Sequence, residues 1–113
     1  MQLLVLVLNK VELLEELLTQ LSLGGINGAT ILQSTGMATT LVNSEEEIPM
    51  FRTLSKLLNP EREESRTILM VVKDEQMKKA KEIIDNVTGG IKNPNTGILF
   101  SLPVNFVEGL VEE

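Results

Sequence analysis

Short apolar runs alternate with amphipathic stretches in the N-terminal third of the chain, and this pattern predicts strand, helix, strand. Residues 3–8 form a continuous apolar run, whose length favours a strand buried on both faces. Asn9 is a suitable helix N-cap, and apolar residues recur at helical spacing over residues 11–21. Residues 29–36 predict a second strand. The sequence leaves open whether that strand resumes over residues 39–42.

The same order returns in the second half of the chain. Residues 67–72 (Thr-Ile-Leu-Met-Val-Val) predict a third strand built on a continuous apolar run. Asp74 is placed to cap an amphipathic helix that ends at Gly89, and residues 97–104 predict a last core strand. Two similar strand–helix–strand halves predict an α+β fold. It is a ferredoxin-like split βαβ arrangement (βαββαβ) with a four-stranded antiparallel sheet and both main helices on one face. At 113 residues we expect a single domain, 1–113.

The region between the second and third strands predicts an extra short helix. Its first turn is placed near Pro49, because proline is tolerated there and disrupts a helix interior. The apolar stripe of this helix includes Phe51, Leu54 and Leu58. The stripe has two interpretations, packing over the edge of its own oligomer or docking on a partner protein.

The two most apolar strands have a consequence for assembly. Residues 3–8 and 68–72 are apolar at both inward and outward positions, whereas two helices cover only one face of a sheet. A neighbouring subunit is the simplest cover for the other face, so the sequence predicts a homo-oligomer.

Composition narrows the classes of function. The chain has no Cys and no His, and its net charge is −6. These absences exclude disulfides, thiolate catalysis, histidine general bases and metals bound by Cys or His. Without a basic cluster or base-stacking aromatics, nucleic acid is an unfavourable partner. We find no nucleophile–base pair, and we expect a non-enzyme without cofactor or metal, in the cytoplasm, with no membrane insertion.

Two polar segments are candidates for ligand binding. The loop before the last strand offers backbone N–H groups and a lysine for an anion, although a helix C-cap followed by a proline turn is the more common explanation of such a loop. The end of the second strand offers hydroxyls for neutral hydrogen bonds, although a bend in a long strand is the alternative. The candidates are Gly89, Gly90, Lys92, Asn95 and Gly97 in the loop, and Ser34, Thr35, Gly36 and Thr39 in the strand end.

Several local motifs give the chain a resemblance to the PII superfamily, the nitrogen regulatory protein P-II group of trimeric signalling proteins. Residues 27–30 (Asn-Gly-Ala-Thr) are similar to the Gly-x-Thr that opens the second PII strand, and Gly36 falls where the long PII T-loop begins. Residues 71–74 (Val-Val-Lys-Asp) end the third strand as in PII proteins. Residues 97–104 (Gly-Ile-Leu-Phe-Ser-Leu-Pro-Val) resemble the final PII strand.

The resemblance implies a homotrimer that binds a small effector between subunits and regulates a partner protein, such as a transporter or an enzyme. It adds Thr30 to the candidate effector-binding residues, and a nucleotide or small anion is among the effectors it suggests. The charged residues that hold nucleotide phosphates in PII proteins are replaced by Met37, Ala38, Thr39, Ile98, Gly109 and Val111. Classical ATP binding is therefore expected to be weak or absent. A structural or assembly module without a ligand is the alternative function.

Overall fold

The computed structural model describes residues 1–42 and 64–110. The helix predicted from Pro49, with its partner-binding candidates Phe51, Leu54 and Leu58, lies outside the described residues. So does Val111.

The described residues form a four-stranded antiparallel sheet, and this confirms the predicted α+β fold class. The strands are β1 (Gln2–Leu8), β2 (Thr30–Ser34), β3 (Ser65–Val72) and β4 (Gly97–Pro103). Their order across the sheet is β2-β3-β1-β4, and each neighbouring pair is antiparallel. The two most apolar strands, β1 and β3, therefore occupy the centre, as their composition predicts, and the arrangement is compatible with a ferredoxin-like βαβ fold.

Helices connect these strands. They are α1 (Leu14–Leu23), α2 (Met37–Val42) and α3 (Met77–Thr88). Short 3₁₀ turns, Val11–Leu13 and Asp74–Gln76, precede α1 and α3. None of the helices in residues 1–42 and 64–110 has the length and apolar character needed to cross a membrane.

The hydrophobic core lies between the sheet and helices α1 and α3. Alternate residues of β1 point into it, and the register places Leu4 opposite Met70 and Leu6 opposite Ile68. Burying each such side chain contributes about 1.5–3 kcal/mol, so this layer is the main source of stability in the described residues. The fully buried core members are Leu4, Leu6, Leu8, Leu17, Leu21, Ile68, Met70, Val72, Ala80 and Ile84.

The helix starts differ by one residue from the sequence prediction. Lys10 takes the N-cap position before Val11, where Asn9 was expected. Lys73 takes it before Asp74, and its backbone N–H donates to Gln76 Oε1 at 2.9 Å. Asp74 stands instead in the first turn, where its carboxylate pairs with the N-terminal amine of Met1 at 3.2 Å. A carboxylate is favourable in a first turn as well as at an N-cap, so its presence does not fix the boundary.

The prediction that β2 could resume over residues 39–42 is wrong, because this segment belongs to α2. Strand β3 begins at Ser65, which pairs with Ser34, so within residues 1–42 and 64–110 no strand pairs with the segment beyond Ser34. Both the N–H and the hydroxyl of Thr40 donate to the Gly36 carbonyl, at 3.0 and 2.9 Å. Local bonds of this kind satisfy the backbone where no neighbouring strand does.

Candidate functional site

One face of the sheet is packed against α1 and α3, and the opposite face is apolar but carries neither helix. Val5 illustrates the second face: it is buried because Leu69 and Phe100 flank it across the sheet. Towards the β4 edge the exposure rises, to 62% for Ile98 and 50% for Leu102. We call this surface the open face; its residues are Leu3, Val5, Val7, Thr30, Leu32, Thr67, Leu69, Val71, Ile98, Phe100 and Leu102.

A cavity of ≈ 430 Å³ opens at one end of the open face, where β2 passes into α2. Val7, Thr67 and Ile98 of the open face contribute to its wall, so the two features are continuous. We call it the hydroxyl cavity, because serine and threonine side chains dominate its polar lining. The remaining lining residues are Asn9, Ser34, Thr35, Gly36, Met37, Ala38, Thr39, Glu64, Ser65 and Asn95.

Three hydroxyls in this cavity contact one another. Thr67 Oγ1 donates to Ser34 Oγ at 2.8 Å, and the hydroxyl oxygens of Ser34 and Ser65 lie 2.7 Å apart. Ser65 Oγ also donates to the Ser34 carbonyl oxygen, at 3.2 Å. The cluster follows from the sheet register, since Ser34 lies opposite Ser65 and Thr67 is two residues farther along β3, on the same face. Its members hold each other in fixed orientations at the cavity wall.

The charge of the hydroxyl cavity comes from Glu64. Among the described lining residues it alone has an ionisable side chain. Its Oε2 accepts a hydrogen bond from Arg66 Nη1 at 3.2 Å, and 61% of its side chain is exposed. Arg66 also donates to the Ser65 carbonyl oxygen, which ties the ion pair to the edge of the hydroxyl cluster.

The structure brings together half of the predicted effector-binding residues. Ser34, Thr35, Gly36, Thr39 and Asn95 all line the hydroxyl cavity, although two separate segments supply them. The sheet order β2-β3-β1-β4 brings the two segments to the same end of the sheet, and a hydrogen bond from the Asn9 N–H to the Thr96 carbonyl, at 3.0 Å, holds the residue next to Asn95 there. The other predicted residues, Thr30, Gly89, Gly90, Lys92 and Gly97, do not line it.

The Gly89–Gly90 segment uses its backbone donors within the loop. Gly89 is left-handed (φ 80°), and its N–H donates to the Asp85 carbonyl. The N–H of Gly90 donates to Thr88 Oγ1, and the Gly89 carbonyl accepts from Asn93 Nδ2 at 2.7 Å. This is the geometry of a helix C-cap. The anion cradle remains a prediction, with these N–H groups already engaged.

Sequence reasoning missed several cavity residues, among them Ser65, Thr67, Glu64 and Asn9. The alternation of side chains along a strand was the available signal, because it places Ser65 and Thr67 on one face and Arg66 and Ile68 on the other. It does not show which strand pairs with them. The register opposite Ser34 appears only in the folded sheet.

A second cavity of ≈ 640 Å³ lies at the opposite end of the sheet, beside the N-terminus. Lys73, Gln76 and the backbone around Gly28 contribute to it, together with Gly109 from the C-terminal tail. Its lining includes a lysine, whereas that of the hydroxyl cavity includes a glutamate. The two cavities therefore present opposite charges to a ligand.

Neither a cluster of metal-ligating residues nor a match to a known protein adds a functional assignment. No group of three or more His, Cys, Asp or Glu residues converges within the described parts of the chain. No protein-family model matches this chain, and no curated protein matches it. The resemblance to the PII superfamily is carried by the motifs quoted above.

Proposed function

We propose that the protein is a cytoplasmic PII-like regulator, a homotrimer that binds a small effector and controls a partner protein such as a transporter or an enzyme. One observation carries this proposal: the hydroxyl cavity opens directly onto the open face, the apolar face of the sheet that carries neither α1 nor α3. A ligand in the cavity and a neighbouring subunit on the open face would share Val7, Thr67 and Ile98. Such an arrangement suits a protein whose ligand alters its assembly or the surface it presents.

The oligomer is supported by the size of the apolar surface. Ile98, Phe100 and Leu102 remain 46–62% exposed, and Leu32 on β2, at the opposite edge of the sheet, is 47% exposed. Covering the exposed half of each side chain is worth on the order of 1 kcal/mol. Contiguous apolar surface of this kind marks interaction sites in soluble proteins.

Binding, rather than catalysis, is supported by the cavity's chemistry. Its described walls offer hydroxyls, amides and one carboxylate, and that carboxylate is held by Arg66. General acid–base or nucleophilic catalysis requires a titratable partner beside the attacking group. The hydroxyls of Ser34, Ser65 and Thr67 have only one another and a carbonyl in the described contacts.

The assembly is tested by Phe100→Glu, which places a carboxylate on the open face, halfway along the edge strand β4. We expect the wild-type chain to sediment as a trimer and the variant as a monomer, because an unpaired charge is costly to bury. Leu23→Glu is the matched control, since Leu23 is 77% exposed at the end of α1. A wild-type monomer at micromolar concentration would refute the trimer.

The effector is tested separately by a thermal-shift screen of the wild-type oligomer with nucleotides, amino acids, amines and small carboxylates. A ligand that binds the native state raises the melting temperature by mass action. A trimer that responds to no ligand but binds a partner stoichiometrically would favour the alternative, an assembly module. The open face is the observation behind that alternative, because it explains assembly without any ligand.

A further inference from the structure

We infer that the hydroxyl cavity selects a ligand that donates hydrogen bonds, namely a small organic cation with an ammonium or guanidinium group on a short carbon chain. This inference rests on the proposed effector site and specifies its chemistry. It comes from the protons of the hydroxyl cluster, the sign of the nearby charge, and the apolar part of the wall.

The proton positions in the cluster follow from its contacts. All three contacts can be hydrogen bonds at once in one arrangement: Ser65 Oγ donates to the Ser34 carbonyl oxygen, 3.2 Å away, because that carbonyl carries no proton. With that bond formed, the Ser34 proton lies between the two serine hydroxyls, which are 2.7 Å apart and either of which could be the donor by geometry alone. Thr67 donates its proton to Ser34 Oγ. In this arrangement each of the three contacts contains one proton, and no hydroxyl proton of the cluster is left for a ligand.

The cluster therefore presents acceptors to the cavity. A hydroxyl oxygen has two lone pairs, and Thr67 Oγ1 accepts none of the three bonds described. Ser34 and Ser65 each accept one bond and keep a second lone pair. An ammonium or guanidinium group has donors and no acceptor, so it complements such a surface. A phosphate or carboxylate has acceptors only and would face oxygen lone pairs.

Glu64 adds charge of the matching sign. Its carboxylate has about four acceptor positions, and Arg66 donates to Oε2 through Nη1. Acceptor capacity therefore remains for a cation, at a position next in sequence to the cluster residue Ser65. Across the whole chain the net charge of −6 also favours the approach of cations.

The rest of the lining fits a carbon chain. Val7, Met37, Ala38 and Ile98 provide apolar contacts, and ≈ 430 Å³ lies within the usual range for small-molecule sites. Thr35 and Thr39 can donate or accept, so their hydroxyls do not select for charge. Selection therefore depends on the hydroxyl cluster and Glu64.

Three four-carbon probes of matched length test the selection: butane-1,4-diamine, butane-1,4-diol and succinate. Each is titrated into the ¹⁵N-labelled wild-type oligomer while amide signals are followed by NMR. We expect the diamine to shift the amides of Ser34, Ser65 and Thr67 most strongly, the diol less, and succinate not at all. Diamine binding should weaken as salt is raised, since the interaction is electrostatic.

Two variants identify the groups responsible. Glu64→Gln should weaken diamine binding about two- to fivefold, the size of an exposed ion pair, and leave diol binding unchanged. Ser34→Ala removes the acceptor of the Thr67 proton, so the preference for the diamine over the diol should shrink. Glu75→Gln is the control, because Glu75 is an exposed carboxylate outside the cavity, in the turn before α3.

The outcomes separate this inference from the proposed function. Shifts at the cavity with succinate but not with the diamine would overturn the inference and retain the effector site. An absence of cavity shifts with the diamine at millimolar concentration would also overturn it. The proposed function fails by other measurements, namely a monomeric wild-type chain or a thermal-shift screen without any response.

Discussion

The two faces of the central sheet are built from the same strands and the same residue types, yet they end in opposite environments. On β1, Leu4, Leu6 and Leu8 are almost completely buried beneath α1 and α3. On β4, Ile98 and Phe100 point the other way and stay 62% and 46% exposed. Apolar content alone does not distinguish a core from an interface. The difference is made by which elements the chain places over each face.

The central strands carry information about both faces. A strand with one solvated face alternates apolar and polar residues, whereas β1 from Leu3 onward and β3 from Ile68 onward are apolar at every position. The face that carries neither α1 nor α3 thus has a composition suited to burial, yet several of its described side chains stay about half exposed. This makes the open face informative about function, while the helix-covered face is informative about stability.

The largest expected effect comes from truncating the same residue type on each face. Leu6→Ala removes a fully buried side chain and should lower the free energy of unfolding by about 2–5 kcal/mol. Leu32→Ala, at a position 47% exposed on the open face, should cost less than about 1 kcal/mol in the dissociated chain. Urea unfolding at low protein concentration measures both.

Protein concentration sharpens this comparison. If a neighbouring subunit covers the open face, the cost of Leu32→Ala should increase as the protein concentration is raised, whereas the cost of Leu6→Ala should change little. Equal costs at low concentration would mean that the two faces do not differ in burial, contrary to the structure.

A second, smaller effect concerns how closely β4 approaches β1. Gly97 has φ 152°, and a Cβ atom there would overlap the Val7 carbonyl oxygen. Gly97→Ala should therefore cost about 1–3 kcal/mol through backbone strain and loss of β1–β4 pairing. Thermal unfolding compared with Gly28→Ala, whose Cβ would meet nothing within 4 Å, measures it. A Gly97→Ala chain as stable as wild type would show that β4 can shift without loss.

The sequence predicted the covered face better than the open one. Helical spacing and strand length are local signals, and they located β1, β3, α1 and α3 to within a few residues. The end of β2 at Ser34 could not be predicted from local signals, because it depends on where β3 begins. The same limit applies to the cavity: Ser34 and Asn95 were identifiable as polar candidates, but Glu64 and Thr67 join them only through the sheet register.

The smallest expected effect is the response to ATP, and it tests whether the open face ends in a cation-selective cavity. A triphosphate would meet the carboxylate of Glu64 and the acceptors of Ser34 and Thr67, and the described lining has no lysine or arginine to offset its charge. Charge-assisted hydrogen bonds contribute about 1.5–3 kcal/mol each, so without them binding weaker than micromolar is expected. Calorimetric titration at moderate salt decides this.

Micromolar binding would contradict the expectation, and lysine variants would then locate the cation responsible. Lys92→Ala would weaken such binding if the loop before β4 holds the phosphates, and Lys73→Ala would weaken it if the second cavity does.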